Sequence, residues 1–431
     1  MQSRFILVLF LASTAFSRDA FAQQDHDHEH QDVVPSGGLT LDQRTVRERS
    51  ISHGPGVVPA RVARSEAART RDAVSFGLSH PPRIGVEVGR RSWSAPGSSH
   101  GFDVTASLWQ DLSLGGYGSA RRAYADALSE RAKANAEMAR RDALARGLNA
   151  WVGARYGREL LKLRRESSAA AEELLRIAEA RVKAGTAPPA EASLARAVVG
   201  SAHAAVLAAE GAIIEADGEL RFALALAPDA ALSPVGELTQ SDDRPIDEAG
   251  AIEAAQRAHP TVLQAKAHAV AAERSAEVYT AAGRPFLGVG LSYTREASGD
   301  RIIGGAVSIP LPVLNPNVLE SSALRAEAAV GKATVADVQA QVAREIRQAV
   351  HERHHARQVR EELGTQAVTP GRDAVREITR RYEAGATELS TVLAARREVL
   401  VAEEGFLAAA ADVQRADIRL EHAVGGPVPR K

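Results

Sequence analysis

The chain has 431 residues, a formal net charge of −1, 4% aromatic residues and no cysteine. Without cysteine there are no disulfides, no thiol catalysis and no lipid anchor on an N-terminal cysteine, and near-neutral charge without a basic block leaves no electrostatic footprint for a nucleic-acid partner. Few aromatics beside abundant alanine suit long helices packed through small side chains better than a large globular core.

Residues 1–22 have the form of a secretory signal. Arg4 supplies the positive start, Phe5 to Phe16 the apolar stretch and Ala20-Phe21-Ala22 the small-x-small cleavage pattern, so the mature chain is expected to begin at Gln23. No later stretch has 18 uninterrupted apolar residues; the nearest, Ala202 to Ile214, is broken by Glu210. No spanning helix is therefore expected, and an exported chain is then either soluble in the periplasm or held in an outer membrane as β-structure. Residues 23–40 read as a polar, flexible leader. In it His26, His28 and His30 interleave with Asp25, Asp27, Glu29 and Asp32. Imidazole and carboxylate suit Zn²⁺, Ni²⁺ or Cu²⁺, which makes these histidines a candidate metal site; a solvated leader accounts for the same tract.

Residues 41–226 form the first of two repeats. Broken helical sequence to Ser79 gives way to alternating segments at Ile84–Gly89 and Phe102–Leu112, a hairpin over 84–112. A proline-free helix over 119–183 follows, about 65 residues and so roughly 100 Å long. Ala184 to Pro189 breaks it, and a helix over 190–226 returns. Residues 227–245 carry three prolines and read as a connector. The second repeat, 246–425, opens with a helix from Asp247 to Ala282. The hairpin over 285–312 has Leu287, Val289, Leu291 and Tyr293 alternating with Gly288, Gly290 and Ser292, then Val307, Ile309 and Leu311 on one face. Helices over 316–368 and 372–424 follow, separated at Thr369-Pro370-Gly371, and Gly385 interrupts the last. A short polar tail, 426–431, ends the chain.

The halves match at a nearly constant spacing of 200 to 203 residues. Arg181-Val182-Lys183-Ala184-Gly185 lies 200 residues before Arg381-Tyr382-Glu383-Ala384-Gly385, and Arg196 lies 200 before Arg396. Ser107-Leu108 precedes Ser308-Ile309 by 201, and Ile84-Gly85-Val86 precedes Leu287-Gly288-Val289 by 203. This is an internal duplication. Each chain then supplies two hairpins, four strands, which is half of the roughly eight that a barrel needs. Strands in a membrane cannot keep open edges, so the pattern predicts a barrel shared between chains, with long helices hanging from it. A periplasmic helical bundle with two hairpins is the alternative.

One run of motifs carries a resemblance: His259-Pro260, Arg284-Pro285 and its alternating strand, Gly305-Ala306-Val307-Ser308-Ile309-Pro310-Leu311-Pro312, a long helix, Arg381-Tyr382-Glu383-Ala384-Gly385, and a closing Leu420-Glu421-His422-Ala423-Val424-Gly425. The chain resembles the TolC-like outer-membrane efflux family, most closely its heavy-metal cation branch. The resemblance implies a mainly α fold with a β-barrel portion: a homotrimer whose two hairpins per chain form a twelve-stranded outer-membrane barrel in membrane lipid, continued by a periplasmic α-helical tunnel. It implies no enzymatic activity and no cofactor. Its partners would be a periplasmic adaptor and an inner-membrane pump of the RND type, and its cargo heavy-metal cations; drug-efflux and protein-export channels share the fold.

Within this resemblance Gly185 and Gly385 are the turns that meet the adaptor. The family's tip aspartates fall on Thr391 and Ala394, so that ring is missing, and Glu191 and Glu388 are the nearby carboxylates. Trp93, Trp109, Tyr117 and Tyr293 lie in or beside the strands, where barrel rims place aromatics and where loop packing would also use them. His351-Glu352-Arg353-His354-His355 matches HExxH, in which two histidines hold Zn²⁺ and the glutamate is the base. A periplasmic zinc hydrolase or metal-binding protein built on this stretch is the alternative from another class; a solvated polar patch on a helix longer than 50 residues explains it more simply.

Overall fold

The structure is a computed structural model. It describes residues 39–76, 80–92, 100–113, 115–239, 244–310 and 317–430. The signal-like segment, most of the leader with His26, His28 and His30, and Trp93 lie outside the described residues.

The chain begins with strand β1 (Leu39–Leu41), then α1 (Gln43–His53) and α2 (Val57–Phe76). Asp42 caps α1 by accepting from the Thr45 amide at 2.7 Å. Strands β2 (Arg83–Ser92) and β3 (His100–Ser113) lead into α3 (Tyr117–Lys183), 67 residues without a break. Helix α4 (Pro189–Ala223) starts on prolines, which suit a first turn whose N–H groups have no helical partner. Strand β4 (Leu232–Pro234) pairs in parallel with β1. The expected leader thus ends in a strand at Leu39 and Thr40, and the expected connector contains another. Both are too short to leave a periodic signature, and Trp151 fixes them by donating from its indole N–H to the Leu41 carbonyl at 2.9 Å.

The second half opens with two helices where one was expected. α5 (Glu248–Ala258) stops at His259, and α6 (Pro260–Ala282) starts at the next residue. The ring of Pro260 pushes His259 out of the helical region, to ψ 132°. Strands β5 (Phe286–Arg295) and β6 (Arg301–Ser308) follow, then α7 (Val318–Glu362), α8 (Thr369–Glu383) and α9 (Leu389–Val424). The expected interruption at Thr369-Pro370-Gly371 is absorbed instead of breaking the helix. Leu363–Val368 forms a π turn, and the Thr369 amide reaches back five residues to the Gly364 carbonyl. The wider turn accommodates a proline that has no N–H and whose ring crowds the preceding carbonyls. The tail is also tied down: Ile246 bridges to Arg430, and Val428 packs against the core cluster that contains Val342, Ile346 and Leu420.

Among the described residues the core packs in three places along the helices, one of them joined by β1. Near β1 and β4, Leu41, Trp151, Leu220 and Leu224 pack together. Where α5, α6, α7 and α9 meet, Ala255, Val262, Ile346 and Leu420 do so. At the far end of the helices, Leu174, Ala195, Tyr382 and Leu389 form the third group. The hairpins join into one four-stranded antiparallel sheet in the order β2-β3-β5-β6.

Candidate functional site

The register of the sheet sorts its side chains onto two faces. Ile84 pairs with Leu108, Leu108 with Leu291, and Leu291 with Gly305; one row on, Val86, Ala106, Tyr293 and Ile303 align. With Leu112, Leu287, Val289 and Val307 they build a single apolar face. It is bare: Ile84 is 81% exposed, Ile303 83% and Val307 69%. A contiguous exposed apolar face of this kind marks contact with a membrane or with another protein.

The opposite face is small and polar. Gly85, Gly288, Gly290 and Gly304 alternate along it with Thr105, Ser107, Ser292 and Thr294. Asp111 accepts from Arg83 at 3.0 Å, and Arg91 bridges Asp103 and Glu296, both at 3.0 Å. Glu87 adds a further carboxylate, so among the described residues of this face Glu87, Asp103, Asp111 and Glu296 stand against Arg83 and Arg91. Trp109 belongs to this polar face, where its indole lies over Gly290; a Cβ there would come within 2.7 Å of the ring. Tyr293 is on the apolar face. Tyr117 opens α3, and the ring of His80 stacks on it at 5.2 Å. The outer edges of β2 and β6 have no partner strand among the described residues.

At the other end of the molecule the two helical turns have the same form. Gly185 has φ +73° and Gly385 φ +77°. The Thr186 amide returns to the Arg181 carbonyl at 3.0 Å, and the Ala386 amide to the Arg381 carbonyl at 2.8 Å. This is the Schellman closure, which requires a left-handed residue that glycine supplies. Both glycines are exposed.

The turns are joined by unlike residues. Tyr382 is fully buried, and its hydroxyl donates to Glu191 Oε2 at 3.0 Å. The Arg181 guanidinium lies 4.4 Å from the centre of the Tyr382 ring and donates to the Tyr382 carbonyl at 3.0 Å. Burial, and then the Glu191 carboxylate, push the Tyr382 hydroxyl above its ordinary pKa. Glu191 is therefore engaged across the two halves. Glu388 stands exposed at the start of α9, accepting from Ser390 at 3.2 Å.

A cleft of about 960 Å³ runs between α3, α4, α8 and α9. Ala394 lines it together with Arg164, Arg372, Arg396 and Arg397. Arg164 pairs with Glu404 at 2.6 Å and Arg372 with Glu403 at 2.5 Å. Arg396 Nε is buried without a hydrogen-bond acceptor, and burial lowers its pKa. In the first repeat Arg196 pairs with Glu179 at 2.7 Å; position 379 is threonine, so the second repeat lacks the counterpart carboxylate.

The HExxH residues do not assemble a zinc centre. Glu352 is held by Arg419 at 2.8 Å and by Gln348 at 2.9 Å. Arg353 turns inward, 4% exposed, to pair with Asp417, while His351 and His355 point outward. No group of three metal-ligating side chains occurs among the described residues.

Helix α4 departs from the expectation of no spanning helix, being long and apolar enough to cross a membrane by length and composition. Its apolar residues form a seam, however. Gly200, Ala204, Leu207, Gly211, Ile214 and Gly218 recur at alternating spacings of four and three, all exposed, which is the pattern of a coiled-coil contact face.

Residues 60–226 match the family described as Outer membrane efflux protein. No curated protein sequence matches the chain. Among solved structures, the fold is similar to the outer-membrane channel OprN, with TM-score 0.77 and 19% identity over 89% of this chain and 90% of that one. It is similar to CusC at TM-score 0.75 and 14% identity, covering 90% and 93%. It is also similar to the outer membrane protein VceC of Vibrio cholerae at 0.74 and 18%, covering 89% and 96%. The matched family and these channels are conduits, not enzymes. Residues 60–226 thus carry the signature of the outer membrane efflux protein family, and nine-tenths of the chain has the fold of outer-membrane channels.

Proposed function

We propose that the chain is one protomer of an outer-membrane efflux channel. Three copies pair β6 of one with β2 of the next and close a twelve-stranded barrel. The α4 seam packs the helices of neighbouring copies into a tunnel across the periplasm. The observation that carries this reading is the sheet: a bare apolar face, a polar face of small residues, and two open edges. Alternation of this kind suits a barrel wall with lipid outside and water inside, and closure is what a membrane demands of strand edges. Fractionation tests it, together with heat-modifiable trimers on gels and conductance in planar bilayers. A soluble monomer without conductance sinks the reading.

The tip, with Gly185 and Gly385 at its turns and Glu191 and Glu388 beside them, is the docking end for a periplasmic adaptor. The adaptor connects it to an inner-membrane pump, of the RND type, that supplies the energy. The cargo is a metal cation. The excess of carboxylates on the polar face of the sheet favours cations in a narrow passage, and the leader with His26, His28 and His30 suits the same ions. A deletion strain should lose tolerance to Zn²⁺, Ni²⁺ or Cu²⁺, and removing residues 25–32 should lower tolerance further than a neutral deletion. Sensitivity to organic drugs alone would assign the cargo to the drug-exporting channels instead.

A further inference from the structure

The apolar face of the sheet ends in arginine. Counting from the helical end, the rows run from Leu112 to Ala106 on β3, with Gln110 their one polar member, and from Leu287 to Tyr293 on β5, about 20 Å along the strand at 3.3 Å per residue. The next row is Val88, Val104, Arg295 and Arg301, and Arg90 follows beside Phe102. Arg295 and Arg301 stand directly opposite each other across the strands, a like-charge pairing that costs stability unless something offsets it. Arg90, Arg295 and Arg301 are all exposed.

Among the described residues no carboxylate occupies that face. Glu296 and Asp103 bind Arg91 on the opposite face, and Asp300, in the turn, accepts from Ser298 at 2.8 Å and makes no ion pair with Arg295 or Arg301. The segment joining β2 to β3, residues 93–99, contains no acidic residue. Three guanidinium groups therefore sit at one edge of an apolar band, at the turn end of the sheet, without an ion-pair partner among the described residues. Guanidinium is the side chain best matched to phosphate, which it binds through paired N–H groups.

We propose that Arg90, Arg295 and Arg301 bind the phosphate groups of membrane-lipid headgroups at the turn end of the sheet, fixing its depth in the bilayer. The inference rests on the channel reading. In that reading the row lies at the distal membrane interface, and bound phosphate turns the Arg295–Arg301 repulsion into a shared contact.

The test uses the full chain purified from membranes in a neutral detergent. Retained lipid is measured as phosphorus per protomer and by native mass spectrometry, for wild type, for Arg295→Gln with Arg301→Gln, and for Arg295→Lys with Arg301→Lys. The glutamine pair should lower lipid affinity about 25-fold, from about fivefold per arginine near an anionic surface, and the lysine pair should retain most of the binding. Vesicles of phosphatidylglycerol should restore thermal stability lost in detergent to wild type but not to the glutamine pair. Equal retention by wild type and the glutamine pair overturns the proposal. So does full restoration by inorganic phosphate without lipid, which assigns the arginines to a free ion. If the glutamine pair still conducts in the outer membrane and retains its lipid, only this inference fails. If the wild-type chain never reaches that membrane, the channel reading fails.

Discussion

Tyr382→Phe deletes one oxygen from the contact that joins the two helical turns. The ring stays buried beneath Arg181, so packing is preserved and the change reports on the hydrogen bond to Glu191. Hydrogen bonds to a charged partner contribute about 1.5–3 kcal/mol. Glu191 is only partly buried and water can replace the lost donor, so the contribution falls at or just below the lower end of that range, about 1–1.5 kcal/mol. The direct assay is a double-mutant cycle with Glu191→Gln, read by thermal unfolding of the purified protein. Each single change should destabilise, and the pair should show a coupling near 1 kcal/mol. In a planar bilayer the Tyr382→Phe channel should spend more time in its highest-conductance state, because the joined turns are freed to separate. Additive effects in the cycle with unchanged conductance would refute the idea that this contact holds the turns together.

Three further outcomes are expected from the geometry. Gly385→Trp should weaken adaptor cross-linking and efflux while leaving trimers intact, since its side chain meets open space but is forced to a positive φ, at a cost of about 1–2 kcal/mol; wild-type efflux counts against the docking role. Buried His259 accepts from the Thr261 amide and donates to the His422 carbonyl, and burial lowers its pKa. Its neutral form is the folded one, so the stability it contributes is present above the ordinary histidine pKa near 6.5 and is lost as pH falls through its lower folded value. His259→Gln should therefore flatten the loss of melting temperature on acidification. Arg396→Met should raise stability by about 1 kcal/mol, because it removes a buried donor without an acceptor, whereas Arg196→Met should not, its partner Glu179 being in place.

The strands were legible because a period of two needs only a few residues. Leu287, Val289 and Leu291 are alternate letters, and the structure puts them on one face. The joining of the hairpins was not legible, because β3 and β5 are some 180 residues apart and nothing local records which strands meet. The two helical turns were read from Gly185 and Gly385, whose positive φ is a local demand. The contact between them was missed. Tyr382 stood in a motif as a neighbour of glycine, and only packing reveals that its hydroxyl reaches Glu191. Proline misled in both directions. Pro260 ends α5 within a pattern that otherwise runs on as helix, while Pro370 is absorbed by a π turn that leaves no trace in the periodicity. The zinc signature failed for a reason visible only in three dimensions: Arg419 and Gln348 already hold the glutamate that the chemistry would need free.

The π turn at Leu363–Val368 gives this helix slack that its counterpart lacks. From Val318 to Glu383 the run is nearly as long as α3, and both end at the same glycine closure. A π turn holds one more residue than the α-helix it interrupts, without rotating the helix beyond it. Removing the exposed Gln366 should therefore let the segment relax into regular helix with the turn at Gly385 still in place. Removing one residue from α3 would swing everything beyond it by about 100°. The two arms of the duplication are thus unequal as material for evolution: one tolerates the loss of a codon, and the other does not.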